Sequence, residues 1–287
     1  MENNLLSVLA KENENFSKGQ KIIAKYILNN YDKAAFMTAG RLGKIVGVSE
    51  STVVRFATEL GYDGYPSMRK ALQEMIRSRL TSVQRIEVAK SMINNEDIIG
   101  SVINSDMQNL QSTLEVLDRG CFDRSVDAII KAKHIYIVGM RTSTSLASFL
   151  GLYLNLLREN VHVVHDTAAS EIYEQIIRIG EGDVFIGISF PRYSSHTVDA
   201  MQFAKQMGAQ SIAITDSPAS PFSGIADYSL YAKSDMVSFL DSLVAPMSLI
   251  NAIIVAVGIK SQDRVSKIFE KLEGIWLEHD VYEKVEH

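Results

Sequence analysis

The sequence predicts an α/β protein: an all-helical N-terminal domain, then a domain in which helices cover both faces of a parallel five-stranded sheet. Residues 1–80 carry apolar side chains at helical spacing and show no alternating strand pattern. Beyond residue 100, short apolar runs alternate with amphipathic helical segments, which is typical of buried parallel strands. A polar stretch separates the two patterns. The predicted division is therefore 1–80 for the helical domain, 81–100 for a linker and 101–287 for the α/β domain.

The predicted strands are the apolar runs of the second domain. They are His134–Met140, Val161–His165, Asp183–Ser189, Gln210–Thr215 and Asp227–Ala232. Amphipathic segments such as 146–158 and 197–207 lie between them, so each crossover between parallel strands has a helix available. This arrangement predicts an α/β/α layering.

The helical domain contains two short helices joined by a tight turn. Thr38 opens the first helix, Gly47 lies in the turn, and Ser49 is a favourable N-cap for the second helix. Gly61 follows the second helix at a position that favours a left-handed residue. The apolar stripe of the second helix has i, i+3, i+4, i+7 spacing and consists of Val53, Phe56, Ala57 and Leu60. This pattern fits a helix-turn-helix, whose second helix enters the major groove of DNA.

The outward face of the second helix carries side chains suited to DNA. Short hydroxyls donate to phosphates or base edges, and arginine pairs with guanine through two hydrogen bonds. The candidate DNA-binding residues are Ser49, Glu50, Ser51, Thr52 and Arg55 on this helix, with Lys44 and Lys70 on neighbouring segments. Residues 1–90 hold 14 lysines and arginines against 9 acids, whereas the remainder holds 15 against 25. A basic first third favours a polyanionic partner, although a helical docking domain with a solvated polar face is the alternative.

Two strand ends in the second domain are rich in hydroxyl side chains and open directly onto helices. Free N–H groups at a helix start, reinforced by hydroxyls, suit phosphate, and arginine binds phosphate or carboxylate at two points. Because the carboxyl ends of parallel strands share one edge, both loops are expected at one pocket. The candidate ligand-binding residues are Arg141, Ser143, Ser145, Ser189, Arg192, Ser194 and Ser195. The alternative is that these serines are ordinary helix caps.

The remaining composition argues against several other classes of protein. The single cysteine, Cys121, excludes an intramolecular disulfide and a cysteine-rich zinc site. His162 and His165 lack a third ligand nearby, so no metal and no cofactor are predicted. The longest apolar stretch, 243–257, is interrupted by polar residues and proline and is too short to span a bilayer. No secretory signal opens the chain, so we expect no membrane partner and a cytoplasmic location.

Several motifs together resemble the RpiR/MurR family of bacterial transcription regulators, which join a helix-turn-helix domain to a sugar-isomerase-type (SIS) phosphosugar-binding domain. In the N-terminal domain the resemblance rests on Leu42–Ser49, Ser51–Phe56, Leu60–Tyr62, Gly64-Tyr65 and Arg69–Leu72. In the C-terminal domain it rests on Ile137–Gly139, Ile188-Ser189, Ile214–Asp216 and Ala226-Asp227. The resemblance implies a cytoplasmic homodimer or homotetramer that binds double-stranded operator DNA with an affinity controlled by a phosphosugar or related anionic sugar effector.

The chain departs from the common SIS pattern at two places. Arg141 stands where the pattern has glycine, and Pro191-Arg192 replaces a Ser-Gly pair. Glycines there allow the backbone to approach the ligand closely, whereas arginines narrow the pocket and add positive charge. The resemblance carries over the hydroxyls of Ser143, Ser145, Ser189 and Ser194, but these arginines put an ordinary sugar phosphate in doubt.

We predict a ligand-responsive regulator and not an enzyme, with no catalytic residues. The alternative is a phosphosugar isomerase or lyase with an accessory helical domain, for which Glu171 and His196 are the only acid–base candidates near a strand end. A third reading is an adaptor whose helical domain docks on protein. The apolar segment 238–257 and a terminal amphipathic helix that carries Trp276 offer surface for self-association.

Overall fold

The structure is a computed structural model that describes residues 5, 8, 9, 16–76, 81–86, 97–164, 169–236 and 240–282. The chain forms two compact units. The first consists of Met1–Ile103 together with Met236–Asp241, and the second consists of Asn104–Asp235 together with Ser242–His287.

The first unit is helical throughout its described part, as predicted. Its helices are α1 (Lys18–Asn29), α2 (Tyr31–Ala34), α3 (Ala39–Val46), α4 (Glu50–Glu59) and α5 (Gly64–Ile76), and residues 82–86 form a further helical turn. Ser17 and Gln20 make a capping box at the start of α1. The inward residues of these helices, among them Ile23, Leu42 and Phe56, share one buried apolar core, so the helices pack as one body.

The second unit contains the predicted parallel sheet. Its elements are α6 (Ile98–Val116, whose first turns belong to the first unit), α7 (Arg119–Lys131), β1 (Ile135–Gly139), α8 (Ser143–Leu157), β2 (Val161–Val164), α9 (Ala169–Ile176), β3 (Val184–Ile188), α10 (Ser195–Gln206), β4 (Gln210–Thr215), β5 (Tyr228–Tyr231), α11 (Val244–Lys260) and α12 (Gln262–Glu278). The strand order is β2-β1-β3-β4-β5, and every pair is parallel. All five predicted strands are confirmed. The last residue of one predicted run, His165, lies outside the described residues.

The expectation that the strands are buried on both faces holds at the centre of the sheet and fails at its edges. Every residue of β1 and β3 is buried. The edge strands β2 and β5 are partly exposed, because an edge strand has a neighbour on one side only. Two separate apolar clusters cover the two faces of the sheet, which confirms the α/β/α layering.

Two features of the units were not predicted. α6 begins at Ile98, inside the stretch expected to be a linker. The first unit also includes residues 236–241, which lie between β5 and α11 in the sequence. Met236 is part of the apolar core of this unit, and Asp241 accepts an ion-paired hydrogen bond from Arg85 at 3.0 Å. Arg85 is 2% exposed. Such contacts between residues far apart in sequence have no local signature.

The two C-terminal helices differ in burial. α11 lies in the core of the second unit, whereas α12 contains no fully buried residue in its described length. Among the described residues no single helix is long and apolar enough to cross a bilayer; α11 and α12 meet that length and composition only as a pair bent by 100°.

Candidate DNA-binding and ligand-binding sites

The first turn of α4 is organised by Ser49. The Ser49 hydroxyl accepts the Thr52 N–H at 3.2 Å and lies 2.9 Å from Ser51 Oγ and 2.8 Å from Thr52 Oγ1. Ser49, Glu50, Ser51 and Arg55 are exposed. The predicted cap is confirmed, and three hydroxyls and a guanidinium are available at the N-terminal end of one helix.

The inner face of α4 fixes that end relative to the rest of the domain. Val53, Phe56 and Ala57 are buried, as predicted from their spacing. Thr52 is half-buried, because its methyl group faces Gly19 of α1, where a Cβ would lie 3.6 Å away. The Thr52 hydroxyl lies 2.8 Å from Ser49 Oγ at the cap, whereas Arg55 is exposed on the outer face.

The turn between α3 and α4 depends on two glycines. Gly47 has φ 75°, a left-handed conformation that costs glycine nothing. At Gly43 a Cβ would lie 2.7 Å from the carbonyl oxygen of Val48. The close approach of α3 to the turn therefore requires glycine at position 43.

A shallow cavity lies beside the exposed end of α4. Its lining residues are Thr38, Gly40, Arg41, Lys44, Val48 and Glu50. The carboxylate of Glu50 lies over Gly40, where a Cβ would be 3.1 Å from Oε2. Arg41 was not among the predicted residues. It could have been found from the sequence, because it lies three residues before Lys44 and this spacing puts both cations on one face of α3. Lys70 is exposed on α5 and does not line this cavity.

In the second unit, the loop from β1 to α8 starts with a tight approach of the backbone. A Cβ on Gly139 would lie 2.5 Å from the carbonyl oxygen of Ser143, so the helix starts directly over the end of the strand. Arg141 has φ 56° and is exposed. Ser143 is 3% exposed. The side chain of Thr142, the N-cap residue, makes no capping hydrogen bond.

The loop from β3 to α10 is fastened by its own hydroxyls. Ser189 Oγ accepts the Ser194 N–H at 3.1 Å, and Ser194 Oγ accepts the Thr197 N–H at 3.4 Å. Ser189 is 5% exposed, and Ser195, the first residue of α10, is exposed. Serines at this loop thus act as helix caps in the structure, which was the alternative left open by the sequence.

The two loops leave neighbouring strands at the same edge. Gly139 of β1 pairs with Ile188 of β3, so Arg141 and Arg192 follow adjacent strand ends. Arg192 has φ 66°, and both arginines therefore adopt the backbone conformation that glycine favours. Non-glycine residues in this region carry strain of about 1–3 kcal/mol each and concentrate at ligand sites.

A third strand end contributes polar groups that the sequence analysis did not include among its site residues. Asp216, which follows β4, is 7% exposed and accepts a 2.8 Å hydrogen bond from the Tyr193 hydroxyl. Thr215 Oγ1 lies 2.8 Å from Ser220 Oγ. The Ile214–Asp216 run was noted only as a resemblance. The sequence feature that could have identified these residues is the polar pair directly after an apolar strand.

The histidines beside the strands form a pair on β1 and β2. His134 Nδ1 lies 3.3 Å from His162 Nε2, and the His162 ring stacks on Tyr136. Burial and the neighbouring His134 ring lower the pKa of His162. Within the part of the chain that the structure describes, no group of three potential metal ligands occurs. The acid–base candidates of the enzyme alternative, Glu171 and His196, are both exposed.

Two family models match separate parts of the chain. Residues 3–79 match the helix-turn-helix domain of the rpiR family, and residues 128–256 match the SIS domain. An uncharacterised HTH-type transcriptional regulator from Caldanaerobacter subterraneus is 24% identical over 94% of this chain and 96% of its own length. The HTH-type transcriptional regulator HexR of Pseudomonas aeruginosa is 25% identical over 94% of this chain and 95% of its own.

Two solved structures resemble the fold. The sugar isomerase domain of an RpiR transcription factor from Sphaerobacter thermophilus is 29% identical, with a TM-score of 0.59, and covers 62% of this chain and 98% of that one. The NanR protein of Vibrio vulnificus, complexed with ManNAc-6P, is 22% identical with a TM-score of 0.56, and covers 95% of this chain and 98% of that one.

Proposed function

The chain belongs to the RpiR/MurR family of transcription regulators, and we propose that it binds operator DNA through α4 with an affinity set by an anionic sugar effector at the sheet edge. It is a regulator and not an enzyme: the relatives matched along nearly its whole length are HTH-type transcriptional regulators. The observation that carries the proposal is the exposed N-terminal half of α4, on which Ser51 and Arg55 face outward from a glycine-packed helix-turn-helix.

In the DNA-binding half, each residue has a distinct role. Arg55 reads a base edge, with guanine as the expected partner, because arginine matches its O6 and N7. Ser49, Ser51 and Thr52 contact phosphate or bases beside it, and Glu50 accepts from a cytosine amino group or orients the neighbouring cations. Lys44 and Lys70 contact the backbone, and Arg41 joins them because it lines the same cavity as Lys44. These cations make binding dependent on salt.

In the effector half, the proposed ligand is a phosphosugar or a related anionic sugar derivative. Support comes from the donors at the ends of β1 and β3: the hydroxyls of Ser143, Ser145, Ser189, Ser194 and Ser195, and the guanidiniums of Arg141 and Arg192. NanR, which shares the fold, is a complex with ManNAc-6P. That compound is therefore the first to test, within a panel of hexose and pentose phosphates.

We also propose a cytoplasmic homodimer or homotetramer. A single helix-turn-helix contacts few phosphates, and pairing on two half-sites is how such modules gain specificity. The exposed apolar side chains of α11 and α12 support self-association, with Val255, Ile259 and Leu277 more than half exposed. Of the segment expected to contribute, residues 237–239 lie outside the described residues.

The test is a gel shift with the DNA upstream of the protein's own gene. We expect the wild-type chain to shift this fragment specifically and a member of the sugar-phosphate panel to change the shift. Arg55→Ala should weaken specific binding at least about fivefold, the scale of one lost base contact. Arg119→Ala is the control, since Arg119 is an exposed arginine on α7 of the second unit.

Each outcome separates the alternatives. Loss of the shift in Arg55→Ala but not in Arg119→Ala supports α4 as the reading helix. Equal shifts by wild type and Arg55→Ala would remove Arg55 from recognition. Absence of any specific shift by the wild-type chain would favour the adaptor reading. A shift that no sugar phosphate alters would leave DNA binding intact and overturn the proposed effector class.

A further inference from the structure

We propose that the connection between β5 and α11 transmits the binding of the effector to the DNA-binding unit. This inference rests on the proposed function and names the element that regulates it. The connection is described at residues 232–236 and 240–243, and residues 237–239 lie outside the described residues. It begins in the second unit, supplies Met236–Asp241 to the first unit and returns to the second at Ser242.

The connection begins at the sheet edge that carries the proposed effector site. Ala232, its first residue, donates its N–H to the carbonyl of Thr215, the last residue of β4, at 2.8 Å. The residue after Thr215, Asp216, accepts a 2.8 Å hydrogen bond from the Tyr193 hydroxyl. Tyr193 lies in the loop from β3 to α10, directly after Arg192. Two hydrogen bonds and one peptide bond therefore join this loop to the start of the connection.

Two buried polar side chains of α6 then hold the connection in the second unit. Thr113 Oγ1 accepts the N–H of Lys233 at 2.8 Å. Asn109 binds both backbone groups of Asp235, because its Oδ1 accepts the N–H and its Nδ2 donates to the carbonyl, each at 3.1 Å. Asn109 is 2% exposed, and a buried amide is stable when its polar atoms are paired in this way. The position of Asp235 is thereby fixed one residue before the chain enters the first unit.

In the first unit the connection is anchored by an apolar side chain and an ion pair. Met236 belongs to the buried apolar core, and Asp241 accepts a 3.0 Å ion-paired hydrogen bond from Arg85. Arg85 is 2% exposed, and a buried charge is tolerated when it is paired. Withdrawal of the connection would uncover Met236 and take this carboxylate away from Arg85. The docked arrangement is therefore a discrete state, which is what a two-state switch requires.

After Asp241 the chain returns to α6, where Ser242 donates its hydroxyl to Asp106. Asp106 precedes Asn109 by three residues, so one stretch of α6 holds the connection both before and after its passage through the first unit. A shift of the strand ends on effector binding would therefore reach Met236 and Asp241 through the chain itself. An effector changes operator affinity only through contacts that differ between two states of the protein.

The experiment measures coupling in the full chain as a ratio of operator affinities. Gel shifts with the DNA upstream of the protein's own gene give the Kd for DNA with and without saturating sugar phosphate. ManNAc-6P is tested first, followed by the hexose and pentose phosphates of the panel, and calorimetry gives the affinity for the sugar phosphate without DNA. We expect the wild-type ratio to be at least about fivefold, the lower end of typical allosteric coupling.

Two variants loosen the connection, one in each unit. Asp241→Asn keeps the size of the side chain but removes the charge beside Arg85. Asn109→Leu keeps the bulk on α6 but removes both hydrogen bonds to Asp235. We expect each variant to bind the sugar phosphate and the DNA separately, with a ratio below about twofold. A purely structural role would weaken DNA binding by the same factor with and without sugar phosphate, and the ratio would not change.

Asp127→Asn is the matched control for the loss of a carboxylate. Asp127 forms a 2.8 Å ion pair with Lys260, which lies at the opposite end of α11 from the connection, so this variant should keep the wild-type ratio. Amide hydrogen exchange of the unmodified chain adds a measurement that needs no variant. Sugar phosphate should change the exchange rates of the Lys233 and Asp235 amides at least about threefold, because α6 holds both.

Three results would each overturn the inference while the proposed function stands. They are a wild-type ratio in either connection variant that binds both ligands, loss of the ratio in Asp127→Asn as well, and unchanged exchange at Lys233 and Asp235. If neither connection variant folds, the exchange measurement decides. A wild-type ratio of one with every member of the panel would instead overturn effector control of DNA binding, and the inference with it.

Discussion

The left-handed backbone of Arg141 and Arg192 is the residue-scale feature with the clearest energetic consequence. In this conformation the Cβ of any residue other than glycine lies too close to a carbonyl oxygen, which costs free energy. The family pattern places glycine at both positions. Non-glycine residues in this conformation concentrate at ligand sites, and both arginines belong to the proposed effector site.

We therefore expect Arg141→Gly to stabilise the protein while weakening effector binding. Relief of strain should exceed the entropy that glycine adds to the unfolded chain, for a net gain of about 1 kcal/mol, or about 2–4 °C in Tm. Differential scanning calorimetry without effector measures the gain, and effector calorimetry measures the loss. Arg141→Ala is the matched control, since it removes the charge and keeps the strained backbone. A stabilised Arg141→Gly with unchanged effector affinity would show that the arginine is not part of the effector site.

At the scale of elements, the packing of α3 against the turn before α4 fixes the position of α4, the helix proposed to contact DNA. Gly43 and Gly40 lie on the same helix but have different neighbours. A Cβ at Gly43 would meet the rigid Val48 carbonyl at 2.7 Å, whereas a Cβ at Gly40 would meet only the flexible carboxylate of Glu50 at 3.1 Å. Substitutions at the two positions therefore separate the effect of a clash with the backbone from the effect of a contact with a flexible side chain.

Gly43→Ala should destabilise the first unit by about 1–3 kcal/mol and abolish specific DNA binding, because α3 must move away from the turn. Gly40→Ala should be tolerated, since the carboxylate can rotate away and alanine favours the helix by about 1 kcal/mol over glycine. Urea unfolding followed by circular dichroism, with gel shifts on the same samples, measures both effects. Equal stability of the two variants would mean that the α3–turn contact is looser than 2.7 Å implies.

The contrast between elements that could and could not be predicted has a physical basis. Caps at Ser17, Thr38 and Ser49 were predictable because a cap bonds within three residues, and the strands because burial imposes apolar runs. The strand order and the part-exposed edges required the folded sheet. The capping bond of Ser194 and the lack of one at Thr142 were also invisible in sequence, since each residue precedes a helix and only hydrogen-bond geometry distinguishes them.

At the scale of the whole molecule, the loosely packed α12 points to self-association. No residue of its described length is buried, although Val265, Ile268, Phe269 and Leu272 repeat at helical spacing. These four side chains are half-buried, and covering the rest of their apolar surface with another chain would add about 25 cal/mol per Å².

Light scattering at micromolar concentration should therefore give at least twice the 31.9 kDa mass of one chain. Leu277→Lys, which places a charge at a 73% exposed apolar position of α12, should shift the population towards the single chain. Glu270→Lys, at an exposed polar position of the same helix, should leave the mass unchanged. A wild-type mass of 31.9 kDa would count against the proposed dimer.

The segment 236–241 makes the first unit discontinuous along the chain, and this limits how such regulators can be recombined. A fragment ending at residue 103 would lack Met236 from its apolar core and would leave the nearly buried Arg85 without the carboxylate of Asp241. Exchange of helix-turn-helix domains between relatives by a single crossover near residue 100 would therefore join a DNA-binding domain to a foreign 236–241 peptide. To transfer the first unit intact, an exchange must also carry six residues encoded more than 130 codons downstream.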